Sequence, residues 1–592
     1  MCGIFGYIGN KNAGEKIIEG LKRLEYRGYD SWGVAVKSNS KIDLIKKMGK
    51  IGEVQFSQLS LPSSNIAIGH TRWATTGDVS NKNAHPHCSS DQTFVLAHNG
   101  IVENYKELKK NLYKNGHRFK SETDTEVIVR LIESKLNKSS DFKIAVQKAF
   151  LDLKGRNTII LLRDNGDIVA ARNGSPLVVG LDEKNQDIYL SSDTLSFAQY
   201  VKKTIIIENN QLVFIRRDNV KIFNIKTGKN IKYHAEKLDI KDNKIDKGDF
   251  DHFMIKEINE NPFVINQVVK QSRRKYDALA REIKKAKNIY TIGSGTAGFA
   301  AAQIAYYLRA YGKIRAVSLV GADAREYFNL FRKGDLLIAP SQSGETADVL
   351  EVLEYAQKKG AQIVSYVNME GSTMARMSDF KFSAQAGPEV CVMSTKIFTS
   401  QIAWGYLVAK TVQGKYKEGI NNLQELIKKS QLYLKNKKSI NTIKNLSHYL
   451  HNTQNIFLMG KSQNLQIMNE GMVKLIEGTY KHAHSIPAGD LKHYAITLIE
   501  KGVIVIVAIS NDEVKPDILN AAGEVRARGA YIIGVGSDDS ELFNSLIKVP
   551  DTGETSAIMN LIPLQLLAYF LTVELGNNVD KPRNIAKSVT VK

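Results

Sequence analysis

The apolar positions of the chain fall into two different rhythms. At the start, Ile4, Phe5 and Ile8 read as a buried strand, and Gly14 to Leu24 reads as a helix with Ile17, Ile18 and Leu21 on one face. Val34–Val36, Ile66–Ile68, Thr93–Ala97, Thr158–Leu162 and Leu177–Val179 read as short strands. Residues 2–240 therefore predict a mixed α and β domain. The segment from Lys241 to Gly248 is polar and charged, and 241–262 predicts a linker leading into the next domain.

Beyond the linker the rhythm becomes long strand–helix alternation. Asp335 to Pro340 is a buried strand, Ser341 to Thr346 a turn, and Val349, Leu350, Val352, Leu353 and Ala356 line a helix that ends at Gly360. The plan recurs 169 residues later without a gap: strand Val503–Ile509, turn Ser510–Glu513, helix Ile518 to Arg528, then Gly529. Ile289–Gly293 likewise parallels Ile456–Gly460. Such alternation predicts two doubly wound α/β domains with parallel sheets, over 263–425 and 426–575, whose sites lie at the C-terminal ends of strands. Residues 576–592 form a polar tail with no core of its own, expected to fold over a site.

A length of 592 residues predicts two to four domains. Apolar runs such as Val503 to Ile509 are of strand length, too short to span a bilayer, and no signal peptide is visible. Three widely spaced cysteines, Cys2, Cys88 and Cys391, make no disulfide framework and fit a reducing compartment, so the expected location is cytoplasmic, with no membrane partner. The formal charge is +21. Its lysines are scattered and accompany no nucleic-acid module, so a solvated surface is the better reading. The field would also favour anionic substrates such as sugar phosphates.

Cys2 follows the initiator methionine. Once Met1 is removed, one residue carries a thiol nucleophile and an α-amine, whose reference pKa of about 8 lets it act as the base. Polar clusters gather at strand ends and turns of the same domain: Tyr26–Ser31, Gly69–Thr75, Ala84–His87, His98–Gly100 and Ser121–Glu126. Each has a plain structural reading alone: Asn-Gly is a common turn, Arg72 could be a surface charge, and Ser121 to Asp124 could cap a helix. His85, His87 and Cys88 lie too close in sequence for a closed tetrahedral metal site, and no metal is expected.

Together with Cys2, these clusters resemble the N-terminal-nucleophile glutaminase domain of class II glutamine amidotransferases, over essentially all of residues 2–240. The resemblance implies an αββα fold in which Cys2 attacks the glutamine side-chain amide. Asn99 and the Gly100 N–H would form the oxyanion hole, Arg72 would take the α-carboxylate and Asp124 the α-ammonium. Thr75 would join the glutamine site, and Trp73 would gate the path to a second site. Thr76 stands where relatives carry histidine.

The two repeated turns differ. Ser341-Gln342-Ser343-Gly344-Glu345-Thr346 offers hydroxyls, an amide and backbone N–H groups at a helix N-terminus, a cradle for phosphate. The partner turn has Asp512 and Glu513 in place of Ser343 and Gly344, and carboxylates repel phosphate. One copy should bind; the other should be scaffold. The alternative for the first turn is an ordinary helix cap.

This half resembles the sugar isomerase (SIS) domain pair. With the amidase domain it resembles the family of isomerising glutamine–fructose-6-phosphate aminotransferases across nearly the full length. The motifs are Ser341–Asp348, Ser394-Thr395-Lys396, Glu470-Gly471, Lys474 to Glu477, Ala488 to His493 and Pro582 to Val591. The resemblance implies glutamine and fructose 6-phosphate as substrates, no cofactor, and glucosamine 6-phosphate and glutamate as products. Thr296, Ser341, Gln342, Ser343, Thr346 and Ser394 would hold the sugar phosphate. Lys587 would form a Schiff base with the C2 carbonyl, Glu477 would move the C1 proton to C2 with Lys474 assisting, and His493, from the second subunit of a homodimer, would open the ring. The plain readings are a surface ion pair for Lys474 and Glu477 and a turn histidine for His493.

Ala297, Ile476 and Tyr494-Ala495-Ile496 depart from the family pattern and keep a different ketose phosphate open. A sugar-phosphate sensor without catalysis would have lost Cys2, Glu477, His493 or Lys587, and all four are present. A phosphoribosyl amidotransferase would need an acidic pair before a Gly-Thr-Thr loop, and an asparagine synthetase a Ser-Gly-Gly-x-Asp-Ser loop; neither occurs.

Overall fold

The computed structural model describes residues 2–39, 41–139, 141–184, 186–217, 219–238 and 246–589. Residues 241–245 of the expected linker and Thr590 and Val591 of the tail motif lie outside the described residues. The chain forms two compact units, Met1–Asn243 with Ala586–Lys592, and Lys244–Ile585.

The first unit holds an eight-stranded and a seven-stranded sheet. The opening strand, Gly3–Ile8, pairs antiparallel with Ile66–Arg72 and Asp187–Ser191. Its side chains alternate. Ile4 and Ile8, with Ile68, face Val95, Ala97, Ile160 and Leu162 of the second sheet. Phe5 and Tyr7 face the opposite way, onto Ile17 and Leu21 of the helix Ala13–Leu24. On the far side, Phe94, Leu96, Ile159 and Leu161 pack against the helices Asp124–Leu136 and Phe142–Leu151. The layers are α, β, β, α. A register slip of one residue would turn Ile4 and Ile8 out of the inter-sheet layer, at about 1.5–3 kcal/mol for each. That pairing fixes where Cys2 emerges.

The expected strands Val34–Val36, Ile66–Ile68 and Thr158–Leu162 fall inside Ser31–Ser38, Ile66–Arg72 and Asn157–Arg163, while Thr93–Ala97 and Leu177–Val179 overlap Phe94–Gly100 and Val178–Asp182. Asn99-Gly100 ends a strand rather than making a turn. Thr123 does cap the following helix, its hydroxyl accepting from the Glu126 N–H at 3.3 Å.

The second unit contains two five-stranded sheets of the same strand order. The first runs Val317–Val320, Ile289–Gly293, Leu336–Ser341, Gln362–Val367, Phe380–Ser383, all parallel. The second runs His482–Pro487, Asn455–Gly460, Ile504–Ala508, Tyr531–Gly536, Ser545–Lys548, also parallel. In each sheet the chain leaves the two central strands in opposite directions, which opens a crevice at their C-terminal ends. Thr296 and the Ser341–Thr346 turn follow those ends in the first sheet. The expected helix after the second turn begins earlier than its apolar run, at Lys515, because Pro516 suits a first helical turn.

The expectation that apolar runs stop at strand length fails at one place. The helix Ser556–Glu574 is long and apolar enough to cross a membrane, yet 89% of its apolar window is buried inside the protein. It is a core helix, apolar all round because neighbours surround it. Lys396–Val412, with every residue buried, is another.

Candidate active sites

In the first unit, the Cys2 thiol sits against the chain just past the neighbouring strand. Its Sγ accepts from the Trp73 N–H at 3.3 Å and lies 3.5 Å from the Trp73 carbonyl. Burial pushes the thiol up, while the Trp73 N–H and the Arg72 charge act the other way. Arg72 donates to the carbonyls of Thr76, Gly77 and Asp78 at 2.7, 3.1 and 3.2 Å, curling that loop around its guanidinium. Thr75 is exposed in the same loop. Asp30 accepts from the Ala74 N–H at 2.8 Å, and the Trp73 ring meets Tyr29 edge-on at 5.6 Å.

Asn99 and Gly100 end the strand Phe94–Gly100 of the second sheet. Asn99 Oδ1 lies 3.1 Å from His70 Nε2, and Asn99 Nδ2 is buried with no acceptor among the described residues. A buried amide N–H without a partner is costly, and a site for a developing oxyanion is a reason to retain one. Gly100 has φ +139°, and a Cβ there would lie 2.3 Å from the Arg156 carbonyl oxygen. Asp124 opens the helix Asp124–Leu136 and accepts from the Val102 N–H at 2.8 Å.

The neighbouring histidines carry no ligand role in the sequence reading, yet they form one buried cluster. His70 Nε2 is 3.3 Å from His85 Nδ1, His87 Nε2 is 2.9 Å from Thr123 Oγ1, and His98 bonds Thr125 and Asn157 at 3.1 and 3.0 Å. Burial pulls all four down, His70 to about 3 and His85 and His87 well below the ordinary value. Unfolded histidines take up protons near pH 6.5 and these folded ones do not, so the unfolded state binds more protons below that pH. Stability of the first unit should fall as pH drops from 7.5 to 5.5, by about 1.4 kcal/mol for each of His70, His85 and His87 at the lower pH. Urea titrations of the full chain across that range, followed on the transition that unfolds this unit, check it; a pH-independent midpoint would refute it.

In the second unit, Ser341 Oγ accepts from the Gly344 N–H at 2.9 Å and Ser343 Oγ from the Glu345 N–H at 3.2 Å, which shapes the turn containing Gln342. Thr346 stands at the N-cap of Ala347–Lys358, but its hydroxyl makes no capping bond, so the ordinary-cap reading fails there. Gly344 has φ +64°, and a Cβ would lie 2.2 Å from Ser372 Oγ. Gly344→Ala should therefore distort this turn and, on the expectation that the turn cradles phosphate, raise the KM for a sugar phosphate at least tenfold, about 1.4 kcal/mol. Glutamine hydrolysis should stay within about twofold, and steady-state kinetics on both substrates decide the matter. The partner turn is filled by its own side chains: Asp512 accepts from Gln463 at 2.7 Å, and Lys515 pairs with Asp538.

The helix Leu465–Thr479 aligns Glu470, Lys474 and Glu477 on one face. Lys474 is buried, 3.4 Å from Glu470 and in contact with Glu477. Thr296, from the first sheet's loop, donates to Glu470 at 3.2 Å. Burial, reinforced by the charge of Glu477, pushes Glu470 up to about 7 despite Lys474, and the two carboxylates hold Lys474 well above its ordinary value against desolvation. The surface-pair reading of Lys474 and Glu477 thus fails: Lys474 is wholly buried. Glu470 has no role in the sequence reading, although its spacing of four from Lys474 was the signal available.

Ser394 donates to Glu389 at 3.0 Å, and the same carboxylate receives the Thr395 and Ile397 N–H groups at the start of Lys396–Val412. His493 is exposed on the turn Leu491–His493. Lys587 falls in the first of the two units, not in the second. Just before it, Arg583 stacks on Tyr480 at 4.1 Å and donates its N–H to the Tyr480 hydroxyl at 2.9 Å, at the C-terminal end of the Glu470–Glu477 helix.

An αββα unit with a cysteine at its head, joined in one chain to a duplicated parallel-sheet unit with a hydroxyl-lined turn, defines an amidotransferase of the sugar isomerase type. A family model of the glutamine amidotransferase domain matches residues 57–221, and one of the SIS domain matches 282–410 and 449–575. Glutamine–fructose-6-phosphate aminotransferases (isomerising) from Caldanaerobacter subterraneus subsp. tengcongensis and Pyrococcus horikoshii are each 36% identical to the chain, with 100% of both chains covered. The solved C-terminal domain of glucosamine-fructose-6-phosphate aminotransferase from Francisella tularensis covers 57% of the chain at 28% identity, with 99% of that domain aligned and a TM-score of 0.53. The chain belongs to the family of isomerising glutamine–fructose-6-phosphate aminotransferases.

Proposed function

We propose that this enzyme converts fructose 6-phosphate and glutamine to glucosamine 6-phosphate and glutamate. The observation that carries the first half-reaction is the Cys2 thiol, held by the Trp73 N–H, in a unit whose Asn99 keeps a buried N–H donor unspent. The thiolate adds to the side-chain carbonyl of glutamine, and Asn99 and the Gly100 N–H receive the oxyanion. Ammonia leaves with the proton returned by the α-amine of Cys2, and water hydrolyses the thioester to glutamate. Arg72, Thr75 and Asp124 bind the α-carboxylate and α-ammonium of glutamine, and Trp73 gates the site.

In the second half-reaction, Ser341, Gln342, Ser343 and Thr346 hold the phosphate, with Thr296 and Ser394 on the sugar. His493 of a second subunit opens the ring, and Lys587 forms an imine at C2 with loss of water. Ammonia displaces Lys587, and Glu477 moves a proton from C1 to C2, which converts the ketose imine to the amino aldose. Lys474, in contact with Glu477, assists that transfer. The exposure of His493 supports a role across a dimer interface. Three cysteines far apart in the sequence fit a cytoplasmic setting.

The test is direct: incubate the protein with glutamine and fructose 6-phosphate and measure glutamate and amino sugar together. Equimolar products are expected. Glutamate without amino sugar would refute the ketose assignment, and neither product would refute the whole reading.

A further inference from the structure

The strand Ile66–Arg72 sends Ile68 into the apolar layer between the two sheets, and His70, two residues on, projects from the same face. A fully buried imidazole in a layer of isoleucines, valines and alanines carries a desolvation cost that its contacts must offset. Those contacts all belong to the oxyanion strand or its neighbours. His70 Nε2 lies 3.0 Å from the His98 carbonyl oxygen, 3.1 Å from Asn99 Oδ1 and 3.3 Å from His85 Nδ1.

The His98 carbonyl settles the direction of these bonds. A carbonyl oxygen only accepts, so Nε2 of His70 carries the proton. The Asn99 atom beside it must then also be an acceptor, which is the amide oxygen. Rotating that amide by half a turn would set its N–H2 against the Nε2 proton. His70 thereby fixes which end of Asn99 faces away, and the end that does is Nδ2, buried and without an acceptor among the described residues.

We propose that His70 is a positioning residue for glutamine hydrolysis: its Nε2–H clamps the Asn99 side-chain oxygen and so aims the Asn99 N–H at the oxyanion. The link has a structural logic. The nucleophile stands on the first sheet and the oxyanion donor on the second, and His70 is a hydrogen-bonding side chain of the first sheet that grips the second at Asn99 itself. The inference rests on the oxyanion role proposed for Asn99.

Three substitutions at one position separate clamping from packing. Phenylalanine keeps the ring and loses the donor; asparagine is too short to reach; glutamine can place its amide N–H where Nε2 stands. H70F and H70N should lower glutaminase kcat about 100-fold, the scale of one oxyanion donor, with the glutamine KM within about threefold, while H70Q keeps kcat within about tenfold of the parent. Alkylation of Cys2 by iodoacetamide, a displacement that develops no oxyanion, should proceed at the parental rate in all three. In an N99A background the H70N loss should shrink to less than threefold, since the group it acts through is gone.

Equal losses in H70N and H70Q, a slowed alkylation that tracks kcat, or an undiminished H70N loss in the N99A background would each overturn the proposal. The H70N and H70Q comparison decides it even if H70F does not fold. N99A alone separates the two readings: full activity there refutes the oxyanion role of Asn99, whereas a loss in N99A with a parental H70N refutes only the clamp.

Discussion

Cys2→Ala should abolish glutamine-dependent amino-sugar synthesis, by about 10⁴-fold or more, and leave synthesis from free ammonium within about threefold of the parent. The two halves of this result come from different units. The alanine variant keeps the backbone of the Gly3–Ile8 strand, whose register is set by Ile4, Phe5, Tyr7 and Ile8 on both faces, so the first unit should fold unchanged. It removes the atom that adds to the amide carbon, and no neighbouring group can substitute. Thr71 Oγ1, 2.6 Å from where a Cβ on Gly3 would stand, is buried with no hydrogen-bond partner among the described residues, so no base activates it. The oxyanion donors and the glutamine contacts would remain, so glutamine should still bind. The proposed phosphate turn and the proposed acid–base side chains lie outside the Gly3–Ile8 strand and are untouched by the substitution. A double assay, glutamine against ammonium chloride as nitrogen donor, separates the outcomes. Retained glutamine-dependent synthesis would end the assignment of Cys2; loss of both activities would place Cys2 in the fold rather than the chemistry.

The parts of this arrangement that sequence made legible are those written in periodicity and in local clusters. The short strands from Ile4 to Val179 predicted a mixed α and β unit, whose αββα layers only the family resemblance implied, and the 169-residue echo between Ser341 and Ser510 predicted the paired parallel sheets. The turn Ser341–Thr346 announced itself because its hydroxyls and glycine are adjacent in the chain. What stayed hidden depends on which face of an element meets which partner. Glu470 reads as one more helix carboxylate until the helix is seen to bury it beside Thr296. His70 was visible as part of a polar cluster, but its partner lies 29 residues away on another sheet. Ser556–Glu574 misled for the converse reason: a helix enclosed on all sides loses the one-sided pattern that marks surface helices. Glu389, which caps Lys396–Val412 from six to eight residues upstream, lies too far from the helix start for the local capping rules.

The second large effect is expected at Glu477. Glu477→Gln should lower kcat for glucosamine 6-phosphate formation by about 10²–10⁴-fold, the range a positioned general base contributes. The KM for fructose 6-phosphate should stay within about threefold, and glutamine hydrolysis should persist. The substitution is nearly isosteric, and the charge balance around it survives. Lys474 keeps Glu470 as its counter-ion at 3.4 Å, and Glu470, which burial and the Glu477 charge together push up to about 7, loses one of the two influences that hold it protonated. Glu470 should then ionise more readily and pair Lys474 more firmly, so the helix Leu465–Thr479 should hold. Lys474→Met is the contrasting variant. It leaves Glu470, with no solvent exposure, without its cation, and breaking a buried pair from one side costs about 3–5 kcal/mol. That variant should lose stability as well as activity, whereas Glu477→Gln should lose activity alone. Subunit mixing adds a further reading: if His493 acts across an interface, H493A and E477Q chains, each inactive, should regain up to about a quarter of parental activity when mixed, because one of the two sites in a mixed dimer then draws both intact groups. Glu477→Gln with parental kcat would remove the proton-transfer role from this residue. A fall in kcat matched by an equal fall in melting temperature to that of Lys474→Met would instead make Glu477 a partner that keeps the buried lysine in place.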